Sequence, residues 1–256
     1  MRIIVCGAGG RMGQTILKLA KEDGGIEIAG AVEADGNSLI GKGDPAIIGS
    51  CGLEKILPES DVLIDFTNAE SALIALKKAE KFKKAAVIGA TGFNAAQKEE
   101  VISISKNIPI ILSPNMSIGV NFLFKIAEIA ARTLSDYDME ILELHHNKKK
   151  DAPSGTAARL AEIISSVLEK DLNETAVYER HSLNKARSRD EIGIMSLRAG
   201  DIVGEHTVYF AGPGERIELT HIAQSRDTFA SGALKAAKWL IGKKPKLYDM
   251  SDVLRL

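Results

Sequence analysis

The sequence predicts an α/β protein in which an N-terminal doubly wound parallel sheet is followed by a second, α+β region. Over the first 117 residues, short apolar runs rich in β-branched residues alternate with stretches of helical periodicity. The apolar runs are nearly continuous, as expected for parallel strands buried on both faces. Strands that alternate with helices at this spacing favour one sheet with right-handed crossovers. After about Ser117 the rhythm changes, and strands follow one another across short turns.

In the first region, the apolar runs predict strands over 2–6, 26–32, 61–66, 85–88 and 108–112. The periodic stretches predict helices over 10–22, 69–81 and 94–105. Asn94 and Gln97 stand at the spacing of a capping box, which places the start of the third helix.

The second region is predicted to begin with a helix over 119–134 and a strand over 139–144, followed by a polar stretch over 145–154. Further elements are a helix over 156–170, strands over 192–198, 206–211 and 216–222, and a closing helix over 230–241. The polar stretch 171–190 has no strong periodicity. Because the last three strands are joined by short Gly-containing turns, we expect them to be antiparallel neighbours.

Composition excludes several classes of function. The 256 residues are 45% hydrophobic and 26% charged, which is ordinary for a globular protein. The net charge is −1 and no basic stripe occurs, so neither nucleic acid nor a membrane surface is an expected partner. No apolar run approaches the roughly 18 residues of a membrane span, and the N-terminus runs directly into a strand without a signal-peptide core. We therefore expect a cytoplasmic protein, in agreement with two cysteines that lack metal-ligand spacing.

A glycine-rich turn joins the first strand to the first helix. Gly7, Gly10 and Gly13 are spaced Gly-x-x-Gly-x-x-Gly, and Met12 stands where the strict dinucleotide fingerprint has its third glycine. The position between strand and helix is nevertheless typical of a Rossmann-like site, where backbone N–H groups and the helix dipole bind a pyrophosphate. Glu33, twenty residues after Gly13 at the end of the second strand, is placed to accept hydrogen bonds from the adenosine ribose. The alternative interpretation is a glycine turn without a nucleotide.

The residues after Glu33 indicate which dinucleotide is preferred. Ala34 and Asp35 occupy the place where an NADP site usually offers Arg or Lys to the 2′-phosphate, so NADH is favoured. Arg11 lies in the glycine turn and is able to reach a phosphate, which leaves NADPH open. Loops 89–92 and 113–116 follow two later strands, at the sheet edge where ligands bind, and are expected to border the nicotinamide.

The least generic segment is 143–156, Glu-Leu-His-His-Asn-Lys-Lys-Lys-Asp-Ala-Pro-Ser-Gly-Thr. It places two histidines and three lysines at a strand end and then opens a helix with Ser-Gly-Thr. Histidine exchanges protons near neutral pH, lysine supplies a positive charge, and a helix start binds a carboxylate, so the segment predicts an acid/base site for an anionic substrate. The alternative is a solvated basic loop in which Ser154 only caps the helix.

The segment 143–156 resembles the signature of the dihydrodipicolinate reductase family. Residues 7–13, 89–92 and 115–121 also resemble that family, and the resemblance extends over essentially the whole chain. It implies an enzyme that uses NAD(P)H to reduce 4-hydroxy-tetrahydrodipicolinate, a cyclic imine dicarboxylate, to tetrahydrodipicolinate in the diaminopimelate route to lysine.

The resemblance also implies roles for individual residues. His145 is the expected proton donor and Lys149 the second catalytic residue. His146, Gly155 and Thr156 are expected to hold the substrate. The implied cofactor contacts are Gly7, Ala8, Gly9, Gly10, Arg11, Met12, Glu33, Gly89, Ala90, Thr91, Ser113, Pro114, Asn115 and Met116. Two departures favour NADH, because Ala34 and Asn68 stand where some members carry arginine.

The expected organisation is a dinucleotide-binding domain over 1–117, completed by 226–256, and a domain for substrate binding and oligomerisation over 118–225. The resemblance implies that the second domain forms an open mixed sheet on which a homotetramer assembles. The isolated His181, His206 and His221 are interpreted as structural, and no metal site is expected. Nothing in the spacing selects among Arg187, Arg189, Arg198 and Arg226 for a second substrate carboxylate. The alternatives are a Rossmann dehydrogenase acting on another amino-acid-derived substrate and a non-catalytic nucleotide sensor.

Overall fold

The structure is a computed structural model that describes residues 1–181 and 183–256. Its strands are β1 (Arg2–Cys6), β2 (Glu27–Glu33), β3 (Ile47–Gly49), β4 (Val62–Asp65), β5 (Ala85–Ile88), β6 (Pro109–Leu112), β7 (Asp138–His145), β8 (Ala176–Val177), β9 (Ile192–Arg198), β10 (Gly204–Gly212), β11 (Glu215–Ala223) and β12 (Lys246–Tyr248). The helices are α1 (Arg11–Glu22), α2 (Leu53–Ile56), α3 (Ala69–Lys81), α4 (Ala95–Ser105), α5 (Ile118–Thr133), α6 (Gly155–Val167), α7 (Leu172–Thr175), α8 (Asp227–Leu240) and α9 (Met250–Leu254).

The chain forms two compact units, one of residues 1–118 with 226–256 and the other of residues 119–225. In the described residues, the helices are too short or too polar to span a membrane. The predicted α/β class is confirmed, with a parallel sheet in the first unit and a mixed sheet in the second.

The first unit is built on a seven-stranded sheet of order β12-β6-β5-β4-β1-β2-β3, in which every pairing is parallel. Alternate residues of β1 enter two different cores. Ile3 and Val5 pack with α1 and α8, whereas Ile4 and Cys6 pack with α3 and α4. The sheet is therefore covered by helices on both faces, which explains why its strands read as continuous apolar runs. The short strands β3 and β12 were not anticipated, because three residues carry too little periodicity.

Helix α1 lies so close to β1 that its third residue must lack a side chain. A Cβ built on Gly13 would stand 2.1 Å from the carbonyl oxygen of Gly7 and 2.7 Å from Cα of Ala8. Gly13 therefore performs the close-packing role of the third glycine in the strict fingerprint, one position later in the sequence. The turn itself needs glycine at Gly7, where φ is +77°.

The second unit contains a five-stranded sheet of order β11-β10-β7-β9-β8. Helices α5 and α6 supply its core, which includes Leu123, Leu160 and Ile164 together with Ile141 and Phe210 of the sheet. The expectation that the last three strands are antiparallel neighbours is wrong for one pair. Strand β7 lies between β9 and β10, pairing parallel with β9 and antiparallel with β10, and only β10 and β11 form a hairpin. The turn after β9 therefore crosses over β7, which local turn signals do not reveal.

We expect Gly13→Ala to lower the free energy of unfolding by about 1–3 kcal/mol, because the added methyl collides with backbone that has no room to move. Urea denaturation measures the change. Gly24→Ala is the matched control, since Gly24 has open space around its Cβ position and should tolerate the methyl group. Equal stability of the two variants would contradict the close approach of α1 to β1.

Candidate active site

The glycine turn of the first unit presents backbone donors at the start of α1. The N–H groups of Gly7 and Ala8 both donate to the Val32 carbonyl at 3.0 Å, which anchors the turn to β2. Gly10 is the N-cap of α1 and contributes no side-chain cap, so an anion is able to take the place of a capping oxygen. Of the sequence-predicted cofactor residues in this turn, Ala8 is fully buried in the core and Met12 packs against it.

Glu33 connects the end of β2 to the glycine turn. Its Oε2 accepts a hydrogen bond from Gly9 N–H at 2.8 Å, and its Oε1 accepts one from Ala34 N–H at 3.0 Å. These contacts hold the carboxylate at the rim of a cavity of about 320 Å³. The cavity is lined along its polar side by Glu33, Ala34, Asp35, Ser50, Asn68 and Lys78. A carboxylate fixed in this way is suited to a ribose diol.

Two further charged residues, Asp35 and Lys78, line this cavity. Asp35 accepts hydrogen bonds from the Ser50 hydroxyl at 2.8 Å and from Cys51 N–H at 3.1 Å, and these bonds lower the pKa of its carboxyl group. Lys78 projects from α3 and donates to the Ser50 carbonyl at 3.0 Å. Sequence reasoning missed Lys78, because a helical lysine carries no signal of facing a cavity.

Asp65 also lines the cavity, at the end of β4, and is 1% exposed. Its Oδ1 accepts from the N–H and hydroxyl of Thr67 at 2.9 and 2.6 Å, whereas within the described residues Oδ2 has no hydrogen-bond partner. Burial raises the pKa of the carboxyl group, and the nearby Glu33 charge acts in the same direction. Asp65 was not among the predicted site residues.

The two later loops of the predicted cofactor site are also at the carboxyl edge of the sheet. Gly89 follows β5, and a Cβ there would lie 2.4 Å from the Phe66 ring, so glycine is needed for packing. Thr91 is exposed and Ala90 is buried. In the other loop, Ser113 Oγ donates to the Asn115 carbonyl at 2.8 Å, and Pro114 is exposed. The side chain of Met116 is 1% exposed and belongs to the core, so only its backbone remains for a ligand contact.

A pair of arginines lies at the starts of two helices of the first unit. Arg11 is the first residue of α1 and Arg226 is the N-cap of α8. Partial burial and the nearby charge of Arg11 both lower the pKa of Arg226. Among the residues that the structure describes, neither guanidinium forms an ion pair with a carboxylate. Arg226 was left unassigned on sequence grounds, and the structure brings it into the electrostatic field of the glycine turn.

In the second unit, the segment 143–156 is organised around a buried carboxylate. Glu143 is fully buried near the end of β7. Its oxygens accept hydrogen bonds from His145 Nδ1 at 2.5 Å, from the N–H of Ser154 at 3.1 Å, and from both terminal nitrogens of Arg198 at 2.8 and 2.9 Å. Burial, the largest influence, raises the pKa of Glu143, but the hydrogen bonds from His145 and Arg198 outweigh it and hold the pKa far below its usual value.

His206 of β10 completes this cluster. Its ring meets that of His145 edge to face with 5.1 Å between centroids, and its Nε2 lies 3.0 Å from the Ser154 hydroxyl. Burial, reinforced by the charge of His145, lowers the pKa of His206 to about 3, so the ring is neutral at pH 7. His206 was interpreted as a structural histidine. The structure places it beside the predicted proton donor, a proximity that spans 61 residues of chain and has no local signal.

The close grouping of Glu143, His145 and His206 resembles a set of metal ligands, since one donor atom from each lies within 4.8 Å of the others. However, the Arg198 guanidinium donates to both oxygens of Glu143, and His145 donates to one of them. A cation at this point would have to displace a positively charged guanidinium. The donor set therefore favours an internal ion pair over a metal site.

Lys149 and the helix start provide groups for an anion. The Lys149 ammonium lies 2.9 Å from Asp151 Oδ2, and its side chain is 21% exposed. Gly155 is exposed and Thr156 partly buried in the first turn of α6, while Ser154 caps that helix by accepting from Ala157 N–H at 3.2 Å. His146 is partly buried directly after β7. Ser154 is thus more than a cap, because it also contacts Glu143 and His206.

Comparisons with known proteins agree along the whole chain. Family models described as dihydrodipicolinate reductase match at residues 1–116 for the N-terminus and 119–254 for the C-terminus. Proteins named 4-hydroxy-tetrahydrodipicolinate reductase from Geobacter metallireducens and Aquifex aeolicus are 49% and 51% identical, and each match covers 100% of this chain and 99% of the relative. A solved structure of dipicolinate-bound dihydrodipicolinate reductase from Paenisporosarcina sp. TG-14 has a TM-score of 0.78 at 25% identity, with 97% of each chain covered. A probable dehydrogenase from Thermotoga maritima, at 12% identity and a TM-score of 0.65, shares the fold.

The low pKa of His206 leads to a prediction about how the stability of the protein depends on pH. Its folded-state pKa of about 3 lies below the ordinary 6.5, so the unfolded state binds more protons between these values and stability falls as pH falls through that window. When the pH is lowered from 6.5 to 5, we expect this residue to reduce the free energy of unfolding by roughly 1–2 kcal/mol. In His206→Gln that part of the loss should disappear, as measured by urea denaturation at the two pH values.

The exposed His181 provides the control for this experiment, and His181→Gln should retain the pH dependence of the original protein. A steep loss that persists unchanged in His206→Gln would show that His206 is not the group responsible.

Proposed function

The chain belongs to the dihydrodipicolinate reductase family, and we propose that it reduces 4-hydroxy-tetrahydrodipicolinate to tetrahydrodipicolinate with the residues described above. It is an NAD(P)H-dependent oxidoreductase of the diaminopimelate route to lysine. The observation that carries the residue assignments is the Glu143-anchored segment, which joins a histidine, a lysine and a helix start in one unit of the structure. Neither a dehydrogenase for another substrate nor a nucleotide sensor accounts for a family match that also covers residues 119–254.

The first unit is proposed to hold the dinucleotide. The residues fit this group, because Gly13 removes a side chain where α1 meets the turn and the uncapped start of α1 offers donors to a pyrophosphate. Glu33 would bind the adenosine ribose, while Arg11 would add positive charge near the phosphates. The turn residues Gly7, Ala8, Gly9, Gly10 and Met12 and the loop residues Gly89, Ala90, Thr91, Ser113, Pro114, Asn115 and Met116 complete the proposed contacts. Loss of the 4-hydroxyl group with a proton of the neighbouring carbon, as water, gives a ring with a conjugated double bond at C4. When bound, the cofactor would supply a hydride to that carbon.

NADH is the proposed preferred cofactor. Glu33 and Asp35 place two carboxylates on the cavity that would receive the 2′ position of the ribose, and Ala34 offers no charge. A 2′-phosphate would therefore meet like charge, with Lys78 as the cation opposite. This balance favours a free 2′-hydroxyl.

We expect kcat/KM to be roughly tenfold higher with NADH than with NADPH, which corresponds to about 1.4 kcal/mol of discrimination. The assay follows oxidation of the reduced cofactor, with substrate generated from aspartate semialdehyde and pyruvate by the preceding synthase. Glu33→Gln should reduce the ratio of kcat/KM with NADH to kcat/KM with NADPH, because it removes one negative charge near the 2′ position. If the unsubstituted protein used NADPH as well as NADH, or better, the preference for NADH would be wrong. Arg11 or Lys78 would then be the residue that binds the 2′-phosphate.

The second unit is proposed to bind and protonate the substrate. Gly155, Thr156 and His146 would hold a carboxylate at the start of α6, where the helix dipole is favourable. Lys149 would stabilise negative charge on the substrate, exchanging Asp151 for a substrate carboxylate. His145 would donate the proton to the carbon next to C4 after the hydride has arrived.

His145→Ala should lower kcat on the order of 10²-fold, because general acid catalysis by a positioned histidine contributes about that much. The affinity for NADH, measured by fluorescence titration, should change little, since the histidine lies outside the nucleotide-binding unit. Unchanged turnover would remove His145 from the mechanism.

Assembly and location complete the proposal. Register places Leu197 and Ile222 on the sheet face opposite α5 and α6, and they are 48% and 55% exposed. Apolar side chains on an uncovered sheet face support the proposed homotetramer, formed through the 118–225 domain.

Cys6 and Cys51 are both free thiols, which supports a reducing cytoplasmic location.

A further inference from the structure

We propose that Glu143 is the positioning residue for His145: its buried carboxylate holds the Nδ1 proton of the imidazole, so that Nε2 is the atom that delivers the proton. This inference rests on the proposed role of His145 as proton donor. It concerns how the ring is held rather than which residue reacts.

The carboxylate of Glu143 is fixed on every side. Its two oxygens receive one hydrogen bond from His145, one from Ser154 and two from Arg198. Arg198 is itself immobilised, because its terminal nitrogens also donate to the Leu197 and Asp151 carbonyls at 2.6 and 2.7 Å. An ionised carboxylate only accepts hydrogen bonds, so the nitrogen of His145 that faces it must carry a proton. The neutral ring is therefore held as the Nδ1–H tautomer, with the lone pair on Nε2.

At the opposite edge of the ring, Nε2 faces a position without a side chain. A Cβ built on Gly204 would lie 3.1 Å from His145 Nε2 and 3.5 Å from its Cδ2. Gly204 does not have a positive φ, so the backbone at the start of β10 does not itself require glycine. The absence of a side chain is explained by the need to leave Nε2 accessible.

With Nδ1 held by Glu143, all bonds and charges of the proposed proton transfer from Nε2 are accounted for. In the imidazolium both nitrogens carry protons, and the Glu143 carboxylate stabilises the positive charge. The Nε2–H bond breaks, its electron pair stays on Nε2, and a C–H bond forms at the substrate carbon next to the one that accepted hydride. The ring that remains is the neutral Nδ1–H tautomer that Glu143 already holds, so no rotation is needed before Nε2 takes a proton from water.

Glu143 also fixes the proposed carboxylate-binding turn. The N–H of Ser154 donates to Glu143 Oε1, and the hydroxyl of Ser154 caps α6 directly before Gly155 and Thr156. One carboxylate thus anchors both the proton donor and the helix start that would bind the substrate. Glu143 thereby ties the turn before α6 to the end of β7.

The test is Glu143→Gln, read by ¹⁵N NMR of protein labelled at its five histidines and by steady-state kinetics. Each oxygen of Glu143 receives two donors, but only the His145 nitrogen beside Oε2 is able to become an acceptor, by losing its proton. The amide oxygen should therefore take the position of Oε1, so the amide NH₂ would face His145 Nδ1. We expect the neutral ring to convert from the Nδ1–H to the Nε2–H tautomer at alkaline pH. We expect kcat to fall about 10²-fold, while the KM for NADH remains close to its original value.

Glu140→Gln is the matched control. Glu140 lies on the same strand and accepts hydrogen bonds from Arg180 and Arg187, but it does not contact His145. This variant loses a carboxylate with two arginine partners, so it should lose stability without changing the His145 tautomer or kcat. Two results would overturn the inference. One is a His145 ring that stays in the Nδ1–H tautomer in Glu143→Gln. The other is an unchanged kcat in Glu143→Gln when His145→Ala is inactive.

A second variant keeps the inference testable if Glu143→Gln does not fold. Gly204→Ala leaves all the contacts of Glu143 in place and adds one methyl group against Nε2. We expect a lower kcat with unchanged NADH affinity and an unchanged Nδ1–H tautomer. Full activity of Gly204→Ala would overturn delivery through Nε2. Full activity of His145→Ala would instead overturn the proposed role of His145 as proton donor while leaving the tautomer result intact.

Discussion

The second unit is organised by the need to compensate one carboxylate that is withdrawn completely from water. A buried charge without partners costs several kcal/mol, so the fold must bring donors to Glu143 from several directions. Arg198 comes from the neighbouring strand β9, Ser154 from the turn before α6, and His145 from the same strand. The polar segment 143–156 owes its shape to this requirement. A solvated basic loop would need no such anchor.

In the first unit a carboxylate is also held by hydrogen-bond donors, but these are backbone N–H groups. Glu33 is held by the N–H groups of Gly9 and Ala34 rather than by a cation, so its negative charge remains available to a neutral ligand group such as a ribose hydroxyl. Close packing of α1 on β1 through Gly13 aims the start of the helix at the same region. One unit therefore presents a fixed carboxylate and a positive helix end, and together these suit a molecule that carries both a diol and a phosphate.

Local signals predicted much of this structure. Helix α3 and strands β1, β5 and β9 were predicted to the residue, and the capping box of Asn94 and Gln97 is formed. The main errors concerned non-local contacts. The insertion of β7 between β9 and β10 depends on which surfaces pack together, and the pairing of β10 with β7 brings His206 beside His145. Lys78 reaches the cavity of the first unit through the packing of α3 on its own sheet. Sequence spacing carries no information about such contacts without the resemblance to a family.

Arg198 and Lys149 are the two cations near the proposed substrate site, and the burial of their partners determines which of them is able to bind a ligand. Arg198 is bound by both oxygens of a carboxylate with no exposure, and separating such a pair costs about 3–5 kcal/mol. Lys149 instead pairs with Asp151, whose side chain is 61% exposed, and exposed pairs contribute about 0–1 kcal/mol. We therefore expect a substrate carboxylate to displace Asp151 from Lys149 but not Glu143 from Arg198. Both residues are basic and close in space to the same segment, yet only the lysine has an exposed, exchangeable partner. For this reason we assign Arg198 a structural role and propose the chemical role for Lys149.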